Sequence, residues 1–221
     1  MHLKRTAVFG VVLLAAQVSA QEPASFKTAK DKLSYALGMD LGNSLRKQSI
    51  EVDPAVFTQG LKDALSGGKT LLTETEARTA ITSLQTAMRD KLIAKNKQEG
   101  EAFLAQNKAK EGVVTLPSGL QYKILNAGTG KKPSIDDTVL CQYRGTLIDG
   151  TEFDSSYKRG QPAALPVKGV VKGFSEALQL MPVGSKWQLF IPSGLGYGER
   201  GFGPIGPDAA LIFEVELVSI K

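Results

Sequence analysis

The residues able to do chemistry in this chain are few, and their absences exclude a great deal. The only histidine is His2 and the only cysteine is Cys141. With no histidine in the body of the chain, neither a Ser-His-Asp triad nor a Cys-His pair can form. A His/Cys zinc site is excluded on the same ground. Cys141 stands in an apolar strand pattern and reads as a buried, inert thiol. Acid–base work would fall to carboxylates, Lys or Tyr, and reactions that move no proton gain weight.

Two short stretches carry what remains. In YRGTLIDGTEFDSS, Tyr143 to Ser156, the Asp149-Gly150 dipeptide predicts a tight hairpin turn. Beyond the turn, alternation sends Phe153 and Asp154 to opposite faces, so a carboxylate sits directly beside a core-type aromatic. On the residues alone, Asp154 caps the turn with Ser155 and Ser156 as readily as it serves a site. Tyr197 lies between Gly196 and Gly198 in a loop, where a hydroxyl often has a ligand to meet. Tyr143, Phe153 and Phe213 taken singly are ordinary core aromatics. Arg159 taken singly is a surface residue, and Trp187 is core.

Stepwise patterns show which elements must position these groups. Residues 28 to about 108 read as helix. Leu33, Leu37, Leu41 and Leu45 recur every four positions. Asp53-Pro54 is a cap followed by proline at the first helical position, and Gly67-Gly68 ends that helix. Thr73 and Glu76 fit the capping box of a third helix, whose stripe runs to Met88. The stripe then fades, and a helix from Glu74 to about Asn107 would be roughly 50 Å long. We read its second half as an exposed arm, weakened at Gly100; a solvated, frayed linker is the other reading. The first two helices have broad apolar faces and too few residues for a core of their own, which predicts pairing with a second copy.

From Leu116 the period becomes two. Val139, Cys141 and Tyr143 share a face, as do Trp187, Leu189 and Ile191, and Leu211, Phe213, Val215 and Leu217. One short helix, Gly173 to Leu180, interrupts these strands before Pro182. This half is an antiparallel sheet with one helix packed on it.

Residues 1–20 read as a secretory signal: Lys4 and Arg5, an apolar run from Ala7 to Ala16, then Val18-Ser19-Ala20 before a cleavage at Gln21. An N-terminal anchor is the alternative. No cysteine follows the run, which argues against a lipoprotein, and no later stretch is long enough to span a membrane. The net charge is +5, two units of it from Lys4 and Arg5, and the other basic residues are interleaved with acidic ones. That balance argues against nucleic acid as a partner. At 42% hydrophobic and 22% charged, the chain is ordinary globular protein.

The Tyr143–Ser156 stretch, followed by GVVKGFSEALQLMPVGSKWQLFIPSGLGYGERGFGPIGPDAALIFEVEL, closely resembles an FKBP-type peptidyl-prolyl cis–trans isomerase domain from about Val113 to the C-terminus. KDKLSYALGMDLGNSL, EGEAFLAQNK and LPSGLQYKI resemble the macrophage infectivity potentiator (Mip) subgroup, exported bacterial proteins that dimerise through an N-terminal helical domain. The resemblance implies an α+β protein. A signal peptide at 1–20 precedes a helical dimerisation domain at 21–88, a helical arm at 89–112 and the isomerase domain at 113–221. In the last, a twisted antiparallel sheet wraps around one short helix.

The resemblance also implies the site. Tyr143, Phe153, Asp154, Tyr197 and Phe213 would be catalytic, and Arg159, Val170, Val171, Phe174 and Ile205 would bind substrate. Tyr143, Phe153 and Phe213 would be walls and Phe174 the floor beneath the proline ring. Val171 N–H and the Tyr197 hydroxyl would meet substrate carbonyls, and GFGPIGPD would be a flexible lip. In that company, Asp154 would orient Tyr143 and Arg159. No cofactor or metal is implied.

The implied partners are proline-containing polypeptides, a second copy of the chain, and macrolides such as tacrolimus and rapamycin. The implied location is the periplasm, with the outer membrane or the medium as further destinations, and the implied activity is isomerisation with chaperone action. Three positions depart from the pattern. The floor commonly holds Trp where this chain has Phe174, and some relatives carry aromatics where it has Ala163 and Leu165. The smaller floor keeps a second reading in play, a dimeric chaperone or binding module with little turnover.

Overall fold

The computed structural model describes residues 26–221. The signal reading at 1–20 lies outside the described residues. The chain forms two compact units that divide between Leu71 and Leu72.

Among its described residues the first unit holds two helices, α1 (Ala29–Lys47) and α2 (Pro54–Ser66). Local chemistry starts and stops both. Thr28 and Asp31 close a capping box on α1, each side chain accepting from the other's backbone N–H. The Asp53 carboxylate accepts from Ala55 and Val56 N–H ahead of α2, and Pro54 takes the first helical position. Gly67 ends α2 at φ 66°, in the left-handed region. Neither helix buries a residue. Leu33, Leu37 and Leu41 on α1, and Phe57, Leu61 and Leu65 on α2, are exposed, so the stripes predicted from the sequence form but nothing in this unit covers them.

The second unit opens with α3 (Glu74–Asn107), started by the Thr73–Glu76 capping box. Seven strands follow: β1 (Val113–Thr115), β2 (Gln121–Asn126), β3 (Thr138–Leu147), β4 (Glu152–Ser155), β5 (Ala163–Pro166), β6 (Lys186–Ile191) and β7 (Leu211–Ile220). Helix α4 (Lys172–Leu180) lies between β5 and β6. All pairings are antiparallel, in the order β1-β2-β6-β7-β3-β4, with β5 also on β3. The core fills the space between the sheet and α4. Val139, Cys141 and Tyr143 alternate inward from β3, Leu211, Phe213, Val215 and Leu217 from β7, and Phe174, Ala177 and Leu178 from α4. Gly173 permits this closeness, since a Cβ there would stand 2.6 Å from Ile191 Cγ2. The architecture is the α+β sheet around one short helix that the sequence predicts.

Two local expectations change. The sequence alternates Leu120, Tyr122 and Ile124 against Gln121, Lys123 and Leu125, yet in β2 Ile124 is exposed and Gln121 is buried. The second half of α3 is not a bare arm. Phe103 meets Phe190 on the outer face of the sheet, with ring centroids 5.9 Å apart. Asn107 donates to Gln121 Oε1 and Gln121 donates to the Leu104 carbonyl, both at 2.9 Å, and Asn107 and Gln121 are buried. Gly100, rather than weakening the helix, is a buried point of close approach, where a Cβ would lie 3.2 Å from Ala210 Cβ.

Candidate functional site

A pocket of about 330 Å³ opens between α4, the inner face of the sheet and the loop after β6. That is the size of a small ligand site. Of the ten residues predicted for the site, nine line it: Tyr143 from β3, Phe153 and Asp154 from β4, Val170 and Val171 ahead of α4, Phe174 within α4, Tyr197 and Ile205 from the loop, and Phe213 from β7. Arg159, in a single 3-10 turn after β4, stands behind this lining.

Four rings form the apolar wall. Phe213 is the hub: Phe174 meets it edge-on at 5.0 Å and Phe153 at 5.4 Å, and Tyr143 tilts against it at 6.3 Å. Tyr143 and Phe174 meet edge-on at 6.1 Å. Edge-to-face contacts suit the ring quadrupoles and fix each ring by its neighbours. One residue without a side chain makes the cluster possible. A Cβ on Gly145 would fall 2.6 Å from Phe153 Cε2 and 2.7 Å from Phe213 Cε1. A glycine inside a strand is the sequence signal for this close approach.

The polar edge is a closed triangle. Tyr143 Oη donates to Asp154 Oδ2 at 2.6 Å, Arg159 Nη1 donates to Asp154 Oδ1 at 2.6 Å, and Arg159 Nη2 donates to Tyr143 Oη at 2.7 Å. The guanidinium also lies 5.4 Å from the centre of the Tyr143 ring. Burial pushes the Asp154 carboxyl up, but hydrogen bonds from Tyr143 and Arg159, with the Arg159 charge, outweigh it and hold the group below the usual carboxylate range. Burial, then the bond to Asp154, raises Tyr143 above an ordinary tyrosine. The Asp154 carboxylate is therefore engaged by its own neighbours. It does not cap the turn, and Ser156 Oγ instead accepts from Tyr143 N–H across the strand pair at 2.8 Å.

Across the pocket, burial raises Tyr197, so its hydroxyl stays a donor. It makes no hydrogen bond to the described residues, and its ring stacks on Phe202 at 5.2 Å. Val171 is the N-cap of α4, so its N–H lies outside the helical ladder, at the pocket edge. Leu165, Gly169, Phe202 and Pro204 complete the lining. Phe202 and Pro204 fall in the stretch predicted as a lip but were not singled out. Among the described residues, no group of three or more His, Cys, Asp or Glu side chains is placed to hold a metal. Cys141 is buried, and burial pushes its thiol up to about 12, which keeps it protonated and inert.

Taken together, the site offers an apolar, ring-lined seat, a donor hydroxyl and a backbone N–H at its rim, and an ion pair at one edge. It contains no group that titrates near neutrality.

Comparison with known proteins agrees with this chemistry. The family model described as FKBP-type peptidyl-prolyl cis-trans isomerase matches residues 129–218. The model for the domain amino terminal to FKBP-type peptidyl-prolyl isomerase matches residues 30–124. The chain is 46% identical over 229 residues to the outer membrane protein MIP of Legionella longbeachae, covering 100% of this chain and 98% of that protein. It is 46% identical over 218 residues to the peptidyl-prolyl cis-trans isomerase Mip of Coxiella burnetii, covering 95% and 94% respectively. The crystal structure of FkpA from Escherichia coli superposes with a TM-score of 0.71 at 35% identity, over 89% of this chain and 99% of that one.

Proposed function

We propose a role for each pocket residue on the ground that this chain belongs to the FKBP-type peptidyl-prolyl cis–trans isomerases. The enzyme rotates Xaa-Pro bonds in proline-containing polypeptides. The barrier is about 18–20 kcal/mol and comes from amide resonance, so the twisted state must be stabilised relative to the planar one. The planar amide is the more dipolar form and water solvates it better. A dry seat of Tyr143, Phe153, Phe174 and Phe213 around the proline ring removes that advantage. Val171 N–H and the Tyr197 hydroxyl hold flanking carbonyls while the bond turns. Val170 and Ile205 close the apolar seat. Asp154 does not face the swinging carbonyl oxygen as a free charge, which would repel it. Asp154 and Arg159 lock the Tyr143 wall. An acceleration of three to five powers of ten needs roughly 4–7 kcal/mol of differential stabilisation. The observation that carries these roles is the ring cluster joined to the Tyr143–Asp154–Arg159 triangle.

The exposed stripes of α1 and α2 support the homodimer. Dimerisation falls to residues 21–88, residues 89–112 link them to the isomerase domain at 113–221, and residues 1–20 direct export to the periplasm, the outer membrane or the medium. Among the described residues no helix is long and apolar enough to cross a membrane. Two pockets per dimer raise the effective concentration of one for the other along a single unfolded client, which gives chaperone action. Macrolides such as tacrolimus and rapamycin would occupy the same seat, more weakly for lack of an indole at Phe174. That phenyl floor also favours the second reading, a chaperone with little turnover.

The test is exchange-resolved NMR of a short peptide with a bulky residue before proline, with and without the mature chain. Acceleration that Tyr197→Phe reduces supports the assignment. A folded chain that leaves the exchange rate unchanged rejects it in favour of the chaperone reading.

A further inference from the structure

The lip of the pocket, residues 201–207, brings Phe202, Pro204 and Ile205 to the lining. It is a small closed turn. Phe202 and Ile205 exchange both backbone hydrogen bonds at 2.9 Å, and Gly201 sits at φ 65°, where a Cβ would fall 2.3 Å from the Ile205 carbonyl oxygen. Ile205 packs into the core and Phe202 stacks on Tyr197, but among the described residues no hydrogen bond runs from residues 201–207 to a strand. Beside the Asp208 N–H bond to the Gly198 carbonyl and the Ser193 bond to Asp208, its two flanks are tied from outside by α3. Arg89 Nη2 donates to the Glu199 carbonyl at 3.1 Å, and Asn96 Nδ2 donates to the Pro207 carbonyl at 2.6 Å.

These two residues are seven positions apart, two helical turns, so they share one face of α3. Leu92 lies between them on that face. A Cβ on Gly206 would stand 3.1 Å from Asn96 Nδ2 and 3.7 Å from Leu92 Cδ2. One turn further along, Gly100 packs on Ala210 at the approach to β7. A single face of α3 therefore runs behind the whole lip while contributing no side chain to the pocket itself.

We propose that α3 sets the position of the lip, with Asn96 as the positioning residue at one end and Arg89 at the other. The helix that leads into the isomerase unit is then part of the device that shapes its binding seat. The hydrogen bonds act on Phe202 and Ile205 through the backbone, so their loss loosens the seat and weakens binding before it touches the turning of the bond. Because coupling is reciprocal, a ligand that orders the lip also tightens this end of α3. The consequence for catalysis rests on the pocket being the site of Xaa-Pro binding; the clasp itself does not.

The experiment uses the full mature chain in five forms: wild type, Asn96→Ala, Asn96→Asp, the Arg89→Ala/Asn96→Ala double variant, and Lys91→Ala as a control on an exposed position of the same helix. Alanine keeps helix propensity, so α3 itself is not weakened. Amide hydrogen exchange is read at Phe202 and Ile205 and compared with amides of β7, and peptide isomerisation is read as separate KM and kcat. The expected result for Asn96→Ala is about three- to tenfold faster lip exchange with β7 unchanged, the size of one lost hydrogen bond. KM should rise by a similar factor with kcat within about twofold. Asn96→Asp, which cannot donate, should behave alike, the double variant should go further, and Lys91→Ala should match wild type. Lip exchange at the wild-type rate in the double variant overturns the clasp. Faster lip exchange with unchanged KM overturns its role in binding. A wild-type chain that fails to isomerise the peptide refutes the catalytic assignment alone, and faster lip exchange in the variants would still support the clasp.

Discussion

The two units of this chain are stabilised in opposite ways. In the α1–α2 unit every start and stop signal is local: the Thr28–Asp31 capping box, Asp53 with Pro54, and the left-handed Gly67. Yet no residue of either helix is buried. In the sheet unit the helix that matters most, α4, has no side-chain cap at Val171 but buries Phe174, Ala177 and Leu178. Short helices gain little from propensity and depend on packing. The sheet unit supplies its own packing. The helical unit has the apolar faces and lacks a covering surface of its own, which supports the proposed pairing with a second copy. On the proposed reading, chemistry sits in the self-sufficient unit and assembly in the dependent one.

Substitutions can break this contrast. The largest effect belongs to Phe213→Ala. Removing the hub of the ring cluster should cost about 3–5 kcal/mol of stability, read as a lowered urea midpoint, and should abolish isomerisation. A stability within error of wild type would show that the rings are not packed as described. The next effect belongs to the other unit. Leu37→Glu with Leu41→Glu should weaken the dimer about thirtyfold or more by sedimentation, since charge on a covered stripe is left unpaired. Its kcat/KM on a short peptide should stay within about twofold of wild type, and its ability to restrain aggregation of an unfolded client should fall. A monomeric wild type would remove the basis of the contrast.

Smaller effects sharpen it. Thr28→Ala should destabilise α1 by about 1 kcal/mol, seen as lost helicity on heating, and leave the pocket untouched. Acidity should have the least effect of all. Asp154 is held below the ordinary carboxylate value, so its contribution is fully present above the unfolded value near 4 and is lost as pH falls through the folded one. Tyr143 and Tyr197 are both raised, so neither ionises near neutrality. Peptide isomerisation should therefore be flat from about pH 5 to 9 and decline only below about pH 4. A bell centred near neutrality would point to a proton-transfer group in the mechanism.

Period and capping made most of the fold readable. Leu211, Phe213, Val215 and Leu217 alternate in sequence and all face the core. Thr73 and Glu76 start α3 where their types predict. The pocket was readable only through resemblance, since Tyr143, Phe153 and Phe213 are ordinary core types when taken singly. The contacts of α3 left no trace. Gly100 reads as a weak point in a helix, Asn96 and Asn107 as solvated residues, and Phe190 as the outward residue of an alternating strand. Each takes its role from a partner that is remote in the chain: Ala210, Pro207, Gln121 and Phe103 respectively. Such one-to-one tertiary contacts have no period, and no single residue type announces them. Gly145 differs, because a glycine within a strand does announce a close approach, though not by what.

The central claim is that an ion-pair-locked aromatic seat turns the Xaa-Pro bond without moving a proton. Its most direct test compares wild type with Asp154→Asn in one peptide isomerisation experiment. Asparagine keeps the shape and removes the charge that holds Arg159 and Tyr143. Wild type should accelerate the exchange by about three powers of ten or more. Asp154→Asn should lose about tenfold in kcat/KM while its melting temperature moves by only a few degrees. Equal rates for the two proteins, or no acceleration by a folded wild type, would contradict the account.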